Sequence, residues 1–213
     1  MLLNKNHFNL LSISEKSSTS YSLSGLHIKS GKVTVSNVHS AYYLPACPSF
    51  KEDDFPEHDS SYSTQLDPEK EYFIPKKVGL KAQKNIPRKS GMPILEHCQV
   101  MTDTDHERLY LASSDLESID SISCKNKPNF PDLTRLDRNF KSSAKETDQG
   151  FRVTVQELEN LVKIAKKIVK KEGDDNVQIL DFKINSDMNC LKVTGKTENI
   201  EELTGYIMLC NPD

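Results

Sequence analysis

The sequence predicts an α+β fold made of repeated β-α-β-β-β half-units, with antiparallel sheets and helices gathered on one face. Three observations carry this. Strand-turn-strand texture recurs at Gly31–Leu44, at Met92-Pro93-Ile94-Leu95 running on to Arg108–Glu117, and at Asn189–Lys196 running into Tyr206–Leu209. Repetition of this kind marks a fold assembled from copies of one unit. An amphipathic helix with a start signal stands before the last of these strand runs, and a second helical pattern stands before the middle one. The composition, 36% hydrophobic and 28% charged over 213 residues, supports a packed core in one or two soluble domains.

Taken in order, strands are expected at 21–28, 32–38 and 41–44, after a Gly- and Ser-punctuated opening. The stretch from Pro48 to Lys70 is dense in Ser, Asp, Glu and Pro, and reads as an exposed linker. Tyr72-Phe73-Ile74 is extended, and a helix follows Pro75, a residue suited to a first helical turn. Pro87 and Pro93 bracket a turn before strands at about 94–102, 107–113 and 116–123. Lys125–Gly150 is a second polar connection.

The last unit is the plainest. Phe151–Val153 reads as a strand, and Thr154 with Glu157 three residues on makes a capping box. Leu158, Leu161, Val162, Ala165, Ile168 and Val169 then fall on one helical face, with Lys163, Lys166, Lys167, Lys170 and Lys171 opposite. Gly173-Asp174-Asp175-Asn176 ends the helix. Strands come next at Val177–Ile184, Cys190–Lys196 and Leu203–Cys210. The expected core is Leu95, Val100, Leu109, Leu111, Leu158, Leu161, Val162, Ala165, Ile168, Ile179, Leu191, Val193, Ile207 and Leu209.

Several function classes are disfavoured. No apolar run approaches the roughly 20 residues a spanning helix needs, and Met1–Phe8 lacks a signal-peptide core, so a cytoplasmic protein with no membrane partner is expected. Five scattered cysteines (Cys47, Cys98, Cys124, Cys190 and Cys210) form no CxxC pair and suit reduced, inert thiols. His97 and Cys98 are strand neighbours pointing to opposite faces, one buried and one exposed, and so cannot pair catalytically with each other. Asp103, Asp105, His106 and Glu107 read as a solvated hairpin turn rather than a metal shell, and Asp174-Asp175 as turn residues. No Gly-rich phosphate loop is present. The expectation is a non-enzyme with no cofactor and no metal.

The chain resembles the bacterial sliding clamp, the beta subunit of replicative DNA polymerase, over about two thirds of its length. Tyr72–Glu117 is similar to a first half-domain of that family, with Pro93-Ile94-Leu95 and the Ala112-Ser113-Ser114-Asp115-Leu116-Glu117 hairpin. Residues 151–210 are similar to a second half-domain. Tyr43-Leu44-Pro45-Ala46 with Asp53-Asp54-Phe55-Pro56, and again Phe130-Pro131-Asp132, look like the family's domain-ending elements. Ser113 stands where the family has threonine, and Asn37-Val38-His39-Ser40 lacks its usual aspartate-glycine.

The resemblance implies a clamp-like half-domain at 1–50, a polar linker at 51–70 and a clamp-like domain at 71–213. The halves of that domain would be 71–124 and 151–213, joined by the polar loop 125–150. It also implies that the helices face duplex DNA. Lysine stripes can neutralise phosphates without reading sequence. The formal net charge is only −3, so such attraction must be local. The candidate contacts are Lys163, Lys166, Lys167, Lys170 and Lys171, with Lys76, Lys77, Lys81, Lys84, Arg88 and Lys89 around the other helix. Expected partners are the DNA backbone, DNA polymerase or other clamp-binding proteins, and further copies in a homo-oligomer. The alternative is an interaction module of clamp fold, of phage or mobile-element type, that binds a replication partner without encircling DNA. Gln65-Leu66-Asp67 only faintly resembles a clamp-binding peptide.

Overall fold

The structure, a computed structural model, describes residues 1–15, 23–37, 39–47, 62–87, 92–131, 153–172, 177–185, 190–197 and 202–209. Chain order is β1 (Leu2–Asn4), α1 (Lys5–Asn9, continued by a 3-10 turn Leu10–Ser12), β2 (Gly25–Lys29), β3 (Lys32–Ser36), β4 (Ser40–Pro45), β5 (Tyr72–Pro75), α2 (Lys76–Asn85), α3 (Pro93–Glu96), β6 (His97–Thr102), β7 (Arg108–Ser114) and β8 (Ile119–Lys125). Then come α4 (Val155–Ile168), β9 (Lys171–Glu172), β10 (Val177–Gln178), β11 (Asp181–Asn185), β12 (Cys190–Lys196) and β13 (Glu202–Met208). The β-α-β-β-β rhythm appears twice in full, as β1-α1-β2-β3-β4 and β5-α2-β6-β7-β8. A third unit gives α4 and then β11-β12-β13.

The units are tied by antiparallel ladders. A four-stranded sheet runs β1-β6-β7-β8, and a seven-stranded sheet runs β11-β12-β13-β4-β3-β2-β5. The first two units exchange their opening strands. β1 lies on β6 with Leu3 opposite Cys98, and β5 lies on β2 with Ile74 opposite Leu26. All four of these side chains are fully buried. The third unit joins by its last strand, with Tyr206 of β13 opposite Ala41 of β4. The clamp resemblance implies 71–124 and 151–213 as halves of one domain. The ladders instead couple the second unit to residues 1–47, because β1 and β5 each complete the other unit's sheet.

Element boundaries shift where local chemistry intervenes. Pro93 starts a helical turn rather than a strand, since proline is preorganised for a first turn, so β6 begins only at His97. Asp115 Oδ1 accepts from the N–H groups of Glu117 (3.0 Å) and Ser118 (2.7 Å), and Leu116 has φ 77°. That turn delays β8 to Ile119. The strand expected over Val177–Ile184 splits into β10 and β11. Val153 belongs to no strand, and residues 151 and 152 lie outside the described residues, as do the acidic Phe-Pro segment at 53–56 and the turn at 173–176. In the linker, Ser63 pairs with Thr102, and Leu66 packs on the core. Phe130 stacks flat on His27 at 4.4 Å.

The core includes Val100, Leu109, Leu111, Leu161, Ala165, Ile168, Leu191, Val193 and Ile207 as expected. Leu95 and Leu209 are half-buried, while Leu158 (48% exposed), Val162 (41%) and Ile179 (52%) are outside it. The N-terminus contributes more than its composition announced, with Leu3, Phe8, Leu10 and Leu11 fully buried. The seam between the first and third units depends on a glycine. Gly205 lies opposite Tyr42, and a Cβ there would enter the fully buried Tyr42 ring. Gly205→Ala is expected to cost about 1–3 kcal/mol as overpacking, read as a lowered urea midpoint. An unchanged midpoint would show that the seam yields freely.

Candidate nucleic-acid interface

The helices stand together, with α1 packed against both α2 and α4. α2 buries Gly79 and Ala82, which turns Lys77, Lys81 and Lys84 outward at i, i+4 and i+7, and all three are exposed. Lys76 is different. It is half-buried, its backbone N–H donates to the Ser24 carbonyl (2.8 Å), and its Nζ donates to the Ser14 carbonyl (2.9 Å). Its charge therefore holds the loop ahead of β2. Arg88 and Lys89 lie outside the described residues.

α4 starts where expected. The Thr154 hydroxyl accepts from the Glu157 N–H at 3.2 Å. The reciprocal bond of the capping box does not form among the described residues, because the Glu157 side chain turns inward. Asn37 Nδ2 donates to Glu157 Oε1 at 3.4 Å, and Glu157 is 4% exposed. The buried face is Glu157, Leu161, Ile164, Ala165 and Ile168. The helix is thus rotated from the stripe read in the sequence. Ile164 goes in, while Leu158 and Val162, on the flank, stay half-exposed. The rotation still leaves Lys163, Lys166 and Lys167 exposed on the outer side.

The helix ends at Ile168 because the sheet captures the next two residues. Val169 bridges Thr197, and the Lys170 N–H donates to the Lys196 carbonyl at 2.8 Å. Lys170 is exposed on this connection, and Lys171 belongs to β9. Two outward basic sets therefore flank α1: Lys77, Lys81 and Lys84 on one side, and Lys163, Lys166 and Lys167 on the other. Such a surface can follow a line of phosphates.

His7 is fully buried beneath this helical layer. Its Nε2 lies 2.8 Å from the Pro45 carbonyl, which can only accept, so Nε2 carries the proton, and Nδ1 accepts the Asn4 N–H at 3.1 Å. Burial lowers its pKa to about 4. Burial likewise lowers His97 and His27, the latter against the opposing pull of Glu71, whose Oε2 lies 3.5 Å from His27 Nε2.

His97 and Cys98 are both buried, rather than one in and one out: every residue of β6 is buried, so both faces of the strand are covered. Burial raises the Cys98 thiol to about 12, and Cys124 and Cys190 to about 11. These are poor nucleophiles. The 103–107 segment is a hairpin turn: Asp103 Oδ1 accepts from the Glu107 (2.9 Å) and Arg108 (3.2 Å) N–H groups. Among the described residues no His, Cys, Asp and Glu cluster could hold a metal, and no helix is long and apolar enough to cross a membrane. Apart from the helices, the structure has an open cavity of about 540 Å³ lined by Met1, Ile28, Pro45, Ala46, Leu66 and Tyr72, among others.

No family model matches the chain, and no curated protein matches it in sequence. Solved structures do match in shape. The Helicobacter pylori beta clamp, solved bound to a DNA ligase peptide, aligns with 98% of this chain at a TM-score of 0.52 and 10% identity. This chain covers 63% of that clamp's length. A PCNA2–PCNA3 complex from Sulfolobus tokodaii aligns over 98% of each chain, at a TM-score of 0.48 and 8% identity. The chain has a sliding-clamp-like fold, α+β with antiparallel sheets.

Proposed function

We propose that this protein is a non-catalytic, DNA-associated clamp-like factor of the cytoplasm. Its helical side lies along a duplex backbone, and it serves as a processivity or docking platform for DNA-processing proteins. The observation that supports this most is the segregation of charge. In a chain of net charge −3, the outward lysines of α2 and α4 gather on the one layer formed by helices. A local basic surface on an acidic protein attracts phosphate without making the whole molecule cationic. Copies of such a chain would encircle a duplex as a closed oligomer.

Retention on DNA tests the reading. A closed assembly stays on circular plasmid through a salt wash and leaves the same plasmid once it is linearised. Equal loss from both forms removes encirclement, and no binding to either at low salt removes the DNA role.

A second reading, an interaction module of the same fold, is favoured by the open cavity beside Leu66. Its walls are mostly apolar, with Lys29, Lys70 and Asp67 among its lining residues, which suits a short peptide with apolar anchors. The Helicobacter pylori clamp that this fold matches was solved with a peptide bound. Binding of a replication-protein peptide with no affinity for DNA would put this reading ahead.

A further inference from the structure

The neighbours of each helix follow from which units are joined. Where the first two units meet, β5 is laid on β2 and α2 packs beside α1. Where the first and third meet, β13 is laid on β4 and α4 packs on α1. The third unit's second strand, β11, ends the seven-stranded sheet on the side away from that seam. α4 therefore has one flank toward α1 and another toward β11, and on the second it has no mate of the kind that α2 is to α1 among the described residues. We infer that this flank of α4, with the adjoining β11, is the docking place of a helix from a different protein. That helix has an apolar stripe with an acidic rim, and lies beside α4 as α2 lies beside α1.

Exposed apolar side chains mark the place. Val155 (74% exposed), Leu158 and Val162 recur at i, i+3 and i+7 along one stripe of α4, beside the stripe that enters the core. Gln178 ties the approach to β11 against that flank. Its Nε2 donates to the carbonyls of Ala165 (3.0 Å) and Val169 (2.6 Å), which continue the stripe at i+3 and i+7 from Val162. Next to Gln178, Ile179 is exposed. Phe182 lies opposite Val193 of the core, so its ring is on the same sheet face as α4, and it is 45% exposed. A lone exposed aliphatic needs no explanation, but a contiguous apolar strip rimmed by charge marks a docking surface.

Charge says which helix fits. Lys166 stands one turn from Val162 on the solvent side, with Lys163 and Lys170 beyond it and Glu159 set against them, all four exposed. The rim is thus positive on balance. A helix with carboxylates beside its apolar stripe complements it, the usual way in which an amphipathic helix is held on an apolar face. Another copy of this chain does not supply one. α2 has no acidic residue and turns Lys77, Lys81 and Lys84 outward, and a second α4 brings its own lysines to the joint. Rims of like charge discriminate against self-pairing. The contact requires neither DNA nor the open cavity.

Two labelled synthetic peptides test this by fluorescence anisotropy, without DNA. Both are amphipathic helices of about four turns with leucines at i, i+3, i+4 and i+7; one carries glutamates on either side of that stripe, the other lysines. Wild type should bind the glutamate-rimmed peptide about tenfold or more tighter than the lysine-rimmed one. Leu158→Asp and Val162→Asp should each weaken that binding about tenfold, with an unchanged circular-dichroism spectrum because both side chains are exposed. The double variant K163E/K166E should reverse the preference between the two peptides, which a merely adhesive surface does not do. No binding of either peptide overturns the inference, as do equal binding of both and affinity indifferent to Val162→Asp. Phosphatidylglycerol vesicles form a further arm: wild type bound to them, with no preference between the peptides, would assign the strip to a lipid surface and overturn the helix. DNA is absent throughout, so failure here leaves the backbone-binding reading as it stands.

Discussion

Changing Lys163, Lys166, Lys167 and Lys170 together to Ala is expected to flatten the salt dependence of duplex DNA binding by about three and a half units of log affinity against log salt. Each phosphate contact contributes about 0.9 to that slope, and all four side chains are exposed. The fold should survive. The three helical positions lie away from Leu161, Ile164 and Ile168, and alanine is the best helix former. At Lys170 the backbone N–H is the bound group among the described residues, and Ala keeps it. Binding should weaken alike for every DNA sequence, because phosphate contacts carry no base readout. Glu at the same positions should abolish binding by repulsion. Lys77, Lys81 and Lys84 changed to Ala should reproduce part of the effect. Lys76→Ala is the informative contrast: its Nζ is committed to the Ser14 carbonyl, so it should lower stability more than it changes the slope. Fluorescence anisotropy with a labelled duplex across a salt series reads all of these. Identical slopes for wild type and the quadruple variant would reduce the stripe to a solvated surface.

The legible part of the sequence was local. Thr154 with its polar turn placed the start of α4, because an N-cap is read within three residues. The β6–β8 and β12–β13 strands carried enough residues for their pattern to show. The facing of α4 was not legible. Two overlapping apolar stripes run along it, Leu161-Ile164-Ala165-Ile168 and Val155-Leu158-Val162, and periodicity alone cannot say which meets the sheet. Packing decided it, with Asn37 drawing Glu157 inward. The first unit was hard to see for another reason. β1 has three residues and α1 five, too few for any period to register. Their stability comes from partners far along the chain, Cys98 and Pro45 among them. Strand exchange between units is likewise tertiary: nothing local to Tyr72-Phe73-Ile74 says that it belongs to the sheet of β2. The lysine positions survived the rotation of α4 because their sector is broad, and the predicted exposed stripe and the observed one overlap.

Lowering the pH from neutral toward 4 is expected to destabilise the fold by about 3 kcal/mol through His7 alone, the equivalent of some 2.5 pH units at 1.36 kcal/mol each. In the folded chain His7 is fully buried and neutral, with Nε2–H donating to Pro45 and Nδ1 accepting from Asn4. A second proton on Nδ1 would displace the Asn4 N–H; Asn4 Oδ1, 2.9 Å away, could accept it, but the charge would still sit where water cannot reach. The folded pKa is therefore about 4 against about 6.5 when unfolded. Between those values the unfolded ensemble binds more protons, so stability falls as pH falls, beginning near 6.5 and complete below 4. His97 and His27, lowered by burial in the same direction, add to the loss over the same approach from neutral pH. Glu71 acts in a lower window. The Lys29 ammonium at 2.7 Å holds its carboxyl below the usual range, so its contribution is present at neutral pH and is lost as pH falls through that lowered value. Being partly exposed, this pair is screened and contributes less. Urea unfolding of wild type and His7→Gln at neutral pH and near pH 5 separates the terms. Gln can still donate to Pro45 but cannot ionise, so the variant should be the less stable at neutral pH yet lose less on acidification. Equal losses in the two proteins would mean that His7 is not the group that takes up the proton.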